Sequence, residues 1–172
     1  SSTNVLAVAL SQSVYLWDAT QGNIQELLTL EDDNDHVCSI SWIQQGGSHV
    51  AVGTANNVVQ LWDVQAGKLV RTMDGHSNRV NALAWNNHIL TSASRDTTIV
   101  NHDVRIQQHK VGSFLQHTQE VCSLAWSPDG SYLASGSNDN TLCIWDGSMT
   151  STQRASAKYQ LTDHQACVKA LA

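Results

Sequence analysis

Apolar and polar residues alternate in short runs along this chain, and each run ends in an aromatic or imidazole side chain followed by aspartate. The runs are Val14-Tyr15-Leu16-Trp17, Val59-Gln60-Leu61-Trp62, Ile99-Val100-Asn101-His102 and Leu142-Cys143-Ile144-Trp145. A period of two residues is typical of β-strands that bury one face. The aspartates that follow the runs, Asp18, Asp63, Asp103 and Asp146, are 45, 40 and 43 residues apart. The pattern therefore predicts a repeated unit built of short strands.

A histidine marks the same repeat at a second point. His76, His117 and His164 each precede a valine by four residues, namely Val80, Val121 and Val168. Val80 and Val121 begin apolar runs that end five residues later in Trp85 and Trp126, which predicts a further strand in each unit. In the second unit Asp33 occupies the place of the histidine. The upstream histidine and the aspartate that follows each run therefore recur in the same register along the chain.

Composition narrows the classes of function. With 172 residues, 41% of them apolar and 14% charged, the chain can build a core. Nine basic residues against fifteen acidic ones give a net charge of -6, which repels nucleic acid and anionic membranes, so neither is expected as a partner. The four cysteines form no close pair and the eight histidines no metal-ligand spacing, so no metal is predicted.

The phase of the repeat resembles that of the WD-repeat β-propeller, whose blades have about 40 to 45 residues and four strands, named a to d. The resemblance implies an all-β fold with about four blades of an expected seven-bladed ring. The predicted boundaries are 1–32 for blade one without its first strand, 33–74 for blade two, 75–115 for blade three, 116–163 for blade four and 164–172 for the first strand of a fifth. Because propellers protect their edges by closing the ring, the chain is expected to belong to a longer propeller.

Four residues of the fourth unit invite two interpretations. His117, Ser135 and Asp139 have the residue types of a nucleophilic triad. In WD repeats the same offsets, together with Trp145, mark a structural hydrogen-bond tetrad. A catalytic serine must be exposed beside an oxyanion hole, whereas Ser135 is predicted within a strand, so the tetrad is favoured over a hydrolase.

The other units match the tetrad to different degrees. Blade three has His76, Ser92 and Asp96, with His102 in place of tryptophan, and an imidazole can still donate one hydrogen bond. Blade two has Asp33, Val52, Asn56 and Trp62, which predicts a looser arrangement.

Two basic residues in loops stand out among scattered ones. Arg95 lies in the predicted b–c turn of blade three, and Arg105 follows His102-Asp103-Val104. A single arginine on a concave loop surface can hold a partner's carboxylate. The alternative, given equal weight, is that each arginine forms an ion pair with a carboxylate of this chain.

Longer segments resemble the Fizzy-type coactivators of the anaphase-promoting complex. They are Asn4-Val5-Leu6-Ala7-Val8-Ala9-Leu10, Val50-Ala51-Val52-Gly53-Thr54, Ser94-Arg95-Asp96, His102-Asp103-Val104-Arg105, Gln119-Glu120-Val121-Cys122 and Ser135-Gly136-Ser137-Asn138-Asp139-Asn140. They occur in this order along the whole chain, including the histidine in place of tryptophan. The opening segment and His-Asp-Val-Arg look closer to the mitotic branch of the family.

The resemblance implies a substrate receptor that does no chemistry and needs no cofactor. Its implied partners are subunits of the anaphase-promoting complex, degron-bearing substrates such as cyclins, and regulatory peptides such as those of the spindle checkpoint, in the nucleus and cytoplasm. Family members bind the Lys-Glu-Asn degron on the top face, and the matching positions here are Asn138 and Asn140. The alternative for these two residues is a purely turn-forming role.

The same repeats also fit other functions. A generic WD-repeat scaffold, or a diverged copy that does not activate the ligase, fits the same repeats. The destruction-box groove of the family lies between the first and last blades and cannot be complete in these residues, whereas a regulatory-peptide groove between blades two and three falls within them.

Overall fold

The computed structural model describes residues 4–43, 48–148 and 154–171, and strands joined by turns make up these ranges. In chain order the strands are β1 (Val5–Leu10), β2 (Ser13–Asp18), β3 (Asn23–Thr29), β4 (Val37–Trp42), β5 (His49–Thr54), β6 (Val59–Asp63), β7 (Lys68–Met73), β8 (Val80–Asn86), β9 (Ile89–Ser94), β10 (Ile99–Asp103), β11 (Lys110–Phe114), β12 (Val121–Trp126), β13 (Tyr132–Ser137), β14 (Leu142–Asp146), β15 (Arg154–Ala155) and β16 (Tyr159–Leu161).

Successive strands pair into four antiparallel sheets, which are the blades. Blade one contains β1 to β3, blade two β4 to β7, blade three β8 to β11, and blade four β12, β13, β14 and β16. The a-strands β4, β8 and β12 lie beside one another as the innermost strands of successive blades. The structure confirms the predicted all-β architecture of WD-repeat type.

The hydrophobic cores lie between neighbouring blades, because alternate side chains of each sheet point toward the next sheet. Val14 and Leu28 of blade one pack with Val50 and Val52 of blade two. Between blades three and four, the rings of Phe114 and Trp145 lie 4.9 Å apart at their centroids and are tilted by 53°. Each blade therefore depends on its neighbour for part of its core.

Close backbone approach joins blade two to blade three. Ser39 Oγ donates a hydrogen bond of 2.9 Å to the carbonyl oxygen of Val80. Gly53, which is opposite Ser39 in the sheet, leaves the room for this contact, because a Cβ there would collide with the serine hydroxyl and lie 2.8 Å from that carbonyl oxygen. Ser123 and Gly136 repeat this arrangement in blade four against Val168, whereas blade three has alanine at both places.

The connection between the c and d strands of blade four also contacts blade three. Its short strand β15 pairs in parallel with β11, the outer strand of blade three, with Arg154 opposite Ser113. Just beyond β15, the backbone N–H of Ala157 donates to Oε1 of Gln116 at 2.7 Å. Blade three is thus a five-stranded sheet whose outermost strand comes from the following blade.

Residues 162–171 follow blade four and form no strand. The assignment of 164–172 to the first strand of a fifth blade stays a prediction. The N–H of Val168 donates to the carbonyl of Ser137 at 3.1 Å. At the other end, Leu6, Leu10 and Ile24 of blade one are 53%, 61% and 67% exposed, on the apolar face that another blade would cover in a closed ring.

Candidate functional site

The four candidate residues of blade four meet in one hydrogen-bonded chain. Trp145 Nε1 donates to Ser135 Oγ at 2.8 Å, and Ser135 Oγ lies 2.8 Å from His117 Nε2. His117 Nδ1 lies 3.0 Å from Oδ2 of Asp139. A neutral imidazole protonated on Nδ1 satisfies every link, since tryptophan donates to serine, serine to histidine, and histidine to the carboxylate.

Burial decides what this chain of side chains can do. Ser135 and Trp145 are fully buried, so the serine hydroxyl has no surface from which to attack a substrate carbonyl. The triad is therefore not placed as the active site of a hydrolase. Burial alone would raise the pKa of Asp139, but hydrogen bonds from the Thr141 hydroxyl, the Thr118 N–H and His117 lower it to about 2. The charged carboxylate thus anchors the turn that contains it.

Blade three builds the same chain with histidine in place of tryptophan. His76 lies 3.1 Å from Asp96 through Nδ1 and 2.7 Å from Ser92 Oγ through Nε2. His102 Nε2 contacts Ser92 Oγ at 2.8 Å and so takes the place of the indole N–H. Burial opposes the charged form of Asp96, but the His76 and Thr98 hydrogen bonds lower its pKa well below the usual range.

The second nitrogen of His102 extends this network beyond a tetrad. His102 Nδ1 lies 2.9 Å from Nδ1 of His109, and Nε2 of His109 lies 3.3 Å from the exposed carboxylate of Asp74. Burial, followed by the charge of His109, lowers the pKa of His102, and burial followed by Arg71 lowers that of His109. With both imidazoles neutral, His109 donates from Nδ1 to His102, which donates from Nε2 to Ser92. Nε2 of His109 then carries no proton, so its contact with Asp74 is not a hydrogen bond in this state.

Blade two departs from its predicted residues. Asp35, not Asp33, accepts a hydrogen bond from the backbone N–H of Asn56 at 3.0 Å, and Asp32 accepts one from the Asn56 side chain at 2.9 Å. Trp62 Nε1 donates to Gln60 Oε1 at 2.9 Å. The only side chains that bond this turn from the preceding connection, among the described residues, are carboxylates, without a serine and histidine between them.

The b–c turns of blades two, three and four, residues 54–57, 94–97 and 137–140, form a common rim at one end of the sheets. Each turn donates one backbone hydrogen bond to the d–a connection that precedes its blade: Ala55 N to His36 O at 2.9 Å, Arg95 N to Arg79 O at 3.1 Å, and Asn138 N to Glu120 O at 2.9 Å. The last residues of the turns, Asn57, Thr97 and Asn140, have φ of 70°, 75° and 63°. The tetrads hold the turns of blades three and four from beneath.

Asn138 and Asn140 both lie on this rim and are half-buried. The Asn138 amide is engaged within the chain, since Nδ2 donates to Oε2 of Glu120 at 3.4 Å and Oδ1 accepts from Sγ of Cys122 at 3.3 Å. The amide of Asn140 has no hydrogen-bond partner among the described residues. Asn140 can therefore both donate to and accept from a ligand on the rim.

Thr97 is a β-branched residue with a positive φ on this rim. A β-branched residue is strained in the left-handed region, where asparagine is tolerated. Thr97→Asn is therefore expected to raise the free energy of unfolding by about 0.5–1 kcal/mol, and the matched variant Asn57→Thr to lower it by a similar amount. Denaturant unfolding of the full-length protein measures both, and a Thr97→Asn protein less stable than the wild type would contradict the argument.

An ion pair that the sequence analysis missed joins the d–a connections that precede blades three and four. Glu120 Oε1 accepts hydrogen bonds from Arg79 Nε at 2.9 Å and Arg79 Nη2 at 2.6 Å, and also one from Asn81. Arg79 and Glu120 directly precede Val80 and Val121, so they occupy the same place in successive repeats with opposite charges. Opposite charges at the same position of two successive repeats were the signal in the sequence from which this ion pair could have been predicted.

The structure resolves the alternatives for Arg105. Its Nη2 and Nε donate to Asp103 at 2.8 and 3.0 Å, which lowers the pKa of that carboxyl to about 2. Arg105 lies at the end of the blade opposite the rim, since it follows β10 whereas Arg95 precedes it. It forms the ion pair within the chain.

Neither a metal cluster nor a membrane-spanning element is found in the described part of the chain. There, no group of three or more His, Cys, Asp or Glu side chains is placed to hold a metal ion. Nor is any helix in the same ranges long and apolar enough to cross a membrane.

The sheets in sequential order and the buried tetrads define a WD-repeat β-propeller protein. A family model described as the anaphase-promoting complex subunit 4 WD40 domain matches residues 2–88, and a second, the WD domain G-beta repeat, matches residues 108–146. The chain therefore belongs to the WD40-repeat family. The relatives described next confirm its resemblance to the Fizzy-type coactivators.

Two curated relatives match almost the whole chain. The anaphase-promoting complex subunit cdc20 of Dictyostelium discoideum is 49% identical over 172 residues, which are 100% of this chain and 34% of that protein. Cell division cycle 20.1, cofactor of APC complex, of Arabidopsis thaliana is 49% identical over 173 residues, covering 99% of this chain and 38% of its own length. The chain therefore spans about a third of these relatives.

A solved structure has the same fold. A chain in the crystal structure of a mitotic checkpoint complex superimposes with a TM-score of 0.93 at 44% identity, covering 100% of this chain and 51% of its own length.

Proposed function

We propose that this chain is part of a substrate-recognition coactivator of the anaphase-promoting complex, and that its rim binds Lys-Glu-Asn degron peptides. Its relatives bear the names of cofactors and subunits of that complex. The observation that carries the proposal is the corner Asn138-Asp139-Asn140, where the tetrad holds the aspartate rigid while the Asn140 amide stays free at the surface.

The geometry suits capture of a short, disordered segment. A peptide of a few residues loses conformational entropy on binding, so it needs polar groups that are already fixed in place. Asn138 is held by Glu120 and Cys122, and its turn by the buried tetrad. The modest affinity expected for so small a contact is raised when the same chain also engages the ligase.

The test removes the Asn140 amide without straining the turn. Because Asn140 has a φ of 63°, glycine is the suitable replacement and alanine is not. Asn140→Gly in the full-length protein is expected to weaken binding of a Lys-Glu-Asn peptide about 5- to 20-fold, the loss of one or two hydrogen bonds, with little change in the unfolding midpoint.

Asn57→Gly is the matched control, since it changes the equivalent position of blade two. It is expected to leave the peptide affinity unchanged. Equal affinities of Asn140→Gly and wild type for the peptide would favour the alternative, a WD-repeat scaffold in which these asparagines only form turns. Isothermal titration with the peptide and its Ala-Ala-Ala counterpart distinguishes the two.

A further inference from the structure

One cation on the rim has no counter-charge. Arg95 is exposed and occupies in blade three the position that Asn138 occupies in blade four, as their matching backbone hydrogen bonds to Arg79 and Glu120 show. Within residues 4–43, 48–148 and 154–171, no hydrogen bond or ion pair engages the Arg95 guanidinium. Its five N–H donors are therefore available to a ligand.

The neighbouring cation is already neutralised. Arg79 donates hydrogen bonds from both Nε and Nη2 to Glu120, whose side chain is 13% exposed. The same glutamate holds Asn138, so one set of hydrogen bonds runs from the turn of Arg95 to the turn of Asn138. The two turns are rigidly joined, and Arg95 carries the uncompensated positive charge beside the proposed degron site.

We propose that Arg95 binds the carboxylate of an aspartate or glutamate that flanks the Lys-Glu-Asn triplet in a bound peptide. The inference rests on the proposed function, because it takes Asn138 and Asn140 as the place of the triplet. Arg95 belongs to the adjacent turn and not to the same one, so an extended peptide reaches it with a residue outside the triplet. A guanidinium fits a carboxylate through two parallel hydrogen bonds.

The charge of the chain makes this contact selective. A chain with a net charge of -6 disfavours acidic peptides in general, so an acidic flank is tolerated only where a cation receives it. Because the pair would be partly solvated, its contribution is modest and falls with salt. We expect an acidic flank to raise affinity about 3- to 10-fold at low ionic strength.

The experiment compares three peptides on the full-length protein by titration calorimetry. All contain Lys-Glu-Asn, with Glu on the amino-terminal flank, Glu on the carboxy-terminal flank, or Gln on both. For the wild type, one Glu peptide is expected to bind about 3- to 10-fold tighter than the Gln peptide. Arg95→Gln should abolish this preference while leaving the affinity for the Gln peptide unchanged.

The control is Arg105→Gln, which removes an arginine from the opposite end of the blade and should preserve the preference. Three outcomes separate the claims. No binding of any peptide to the wild type overturns the proposed function. Binding of all three peptides with equal affinity, or a preference that survives in Arg95→Gln, overturns the role of Arg95 and leaves the degron site standing.

Discussion

Ser135→Ala is expected to lower the free energy of unfolding by about 2–4 kcal/mol. The hydroxyl receives the indole N–H of Trp145 and contacts His117 Nε2. Alanine removes both contacts and leaves two buried polar groups without partners, each at a cost of about 1–3 kcal/mol. Because Ser135 and Trp145 are fully buried, water does not replace the lost bonds. Denaturant unfolding of the full-length protein measures the change.

Ser131→Ala is the control for this variant. Ser131 is exposed on the same blade, and its hydroxyl bonds only to Asp129 among the described residues, so loss of that hydroxyl should change the stability by less than about 0.5 kcal/mol. If Ser135→Ala unfolded at the same denaturant concentration as the wild type, the tetrad would not stabilise the blade.

Gly53→Ala is expected to have an effect of similar size, about 2–4 kcal/mol, by forcing blades two and three apart. The added methyl group would collide with Ser39 Oγ and lie 2.8 Å from the carbonyl oxygen of Val80 and 2.9 Å from its side chain. The serine can rotate, but the backbone of Val80 can move only with β8. The hydrogen bond from Ser39 to Val80 is lost in the same step.

A second substitution tests whether the collision is the cause. Ser39→Ala in the Gly53→Ala protein recreates the pair of alanines found in blade three at Ala82 and Ala93. It is expected to restore part of the stability, because one of the two obstacles disappears. Should the double variant be less stable than Gly53→Ala alone, steric overlap would not explain the first result.

The repeat carried most of the information about the fold. Tryptophan and aspartate at one spacing predicted the c-strands, and the valines after His76 and His117 predicted where β8 and β12 begin. These landmarks are visible because each strand must place an apolar residue in the core on alternate positions. The resemblance to WD repeats implied the residues of the two tetrads.

Local loop geometry was not predictable in the same way. Counting residues placed Asp33 at the position that histidine occupies in the later repeats. In the structure Asp32 accepts a hydrogen bond from the N–H of Asn34 and tightens the loop, and Asp35 is the residue that reaches Asn56. The extension through His109 depends on the approach of two side chains across strands, and β15 is only two residues long. None of these leaves a periodic pattern.

The pairing of β15 with β11 bears on the order in which the chain acquires its structure. Blade three obtains its last strand only after β12, β13 and β14 have been synthesised, because residues 154–155 follow them in the chain. The outer edge of blade three therefore stays unpaired on the nascent chain until residues 154–155 emerge, so the five-stranded sheet cannot be complete before most of blade four has been translated.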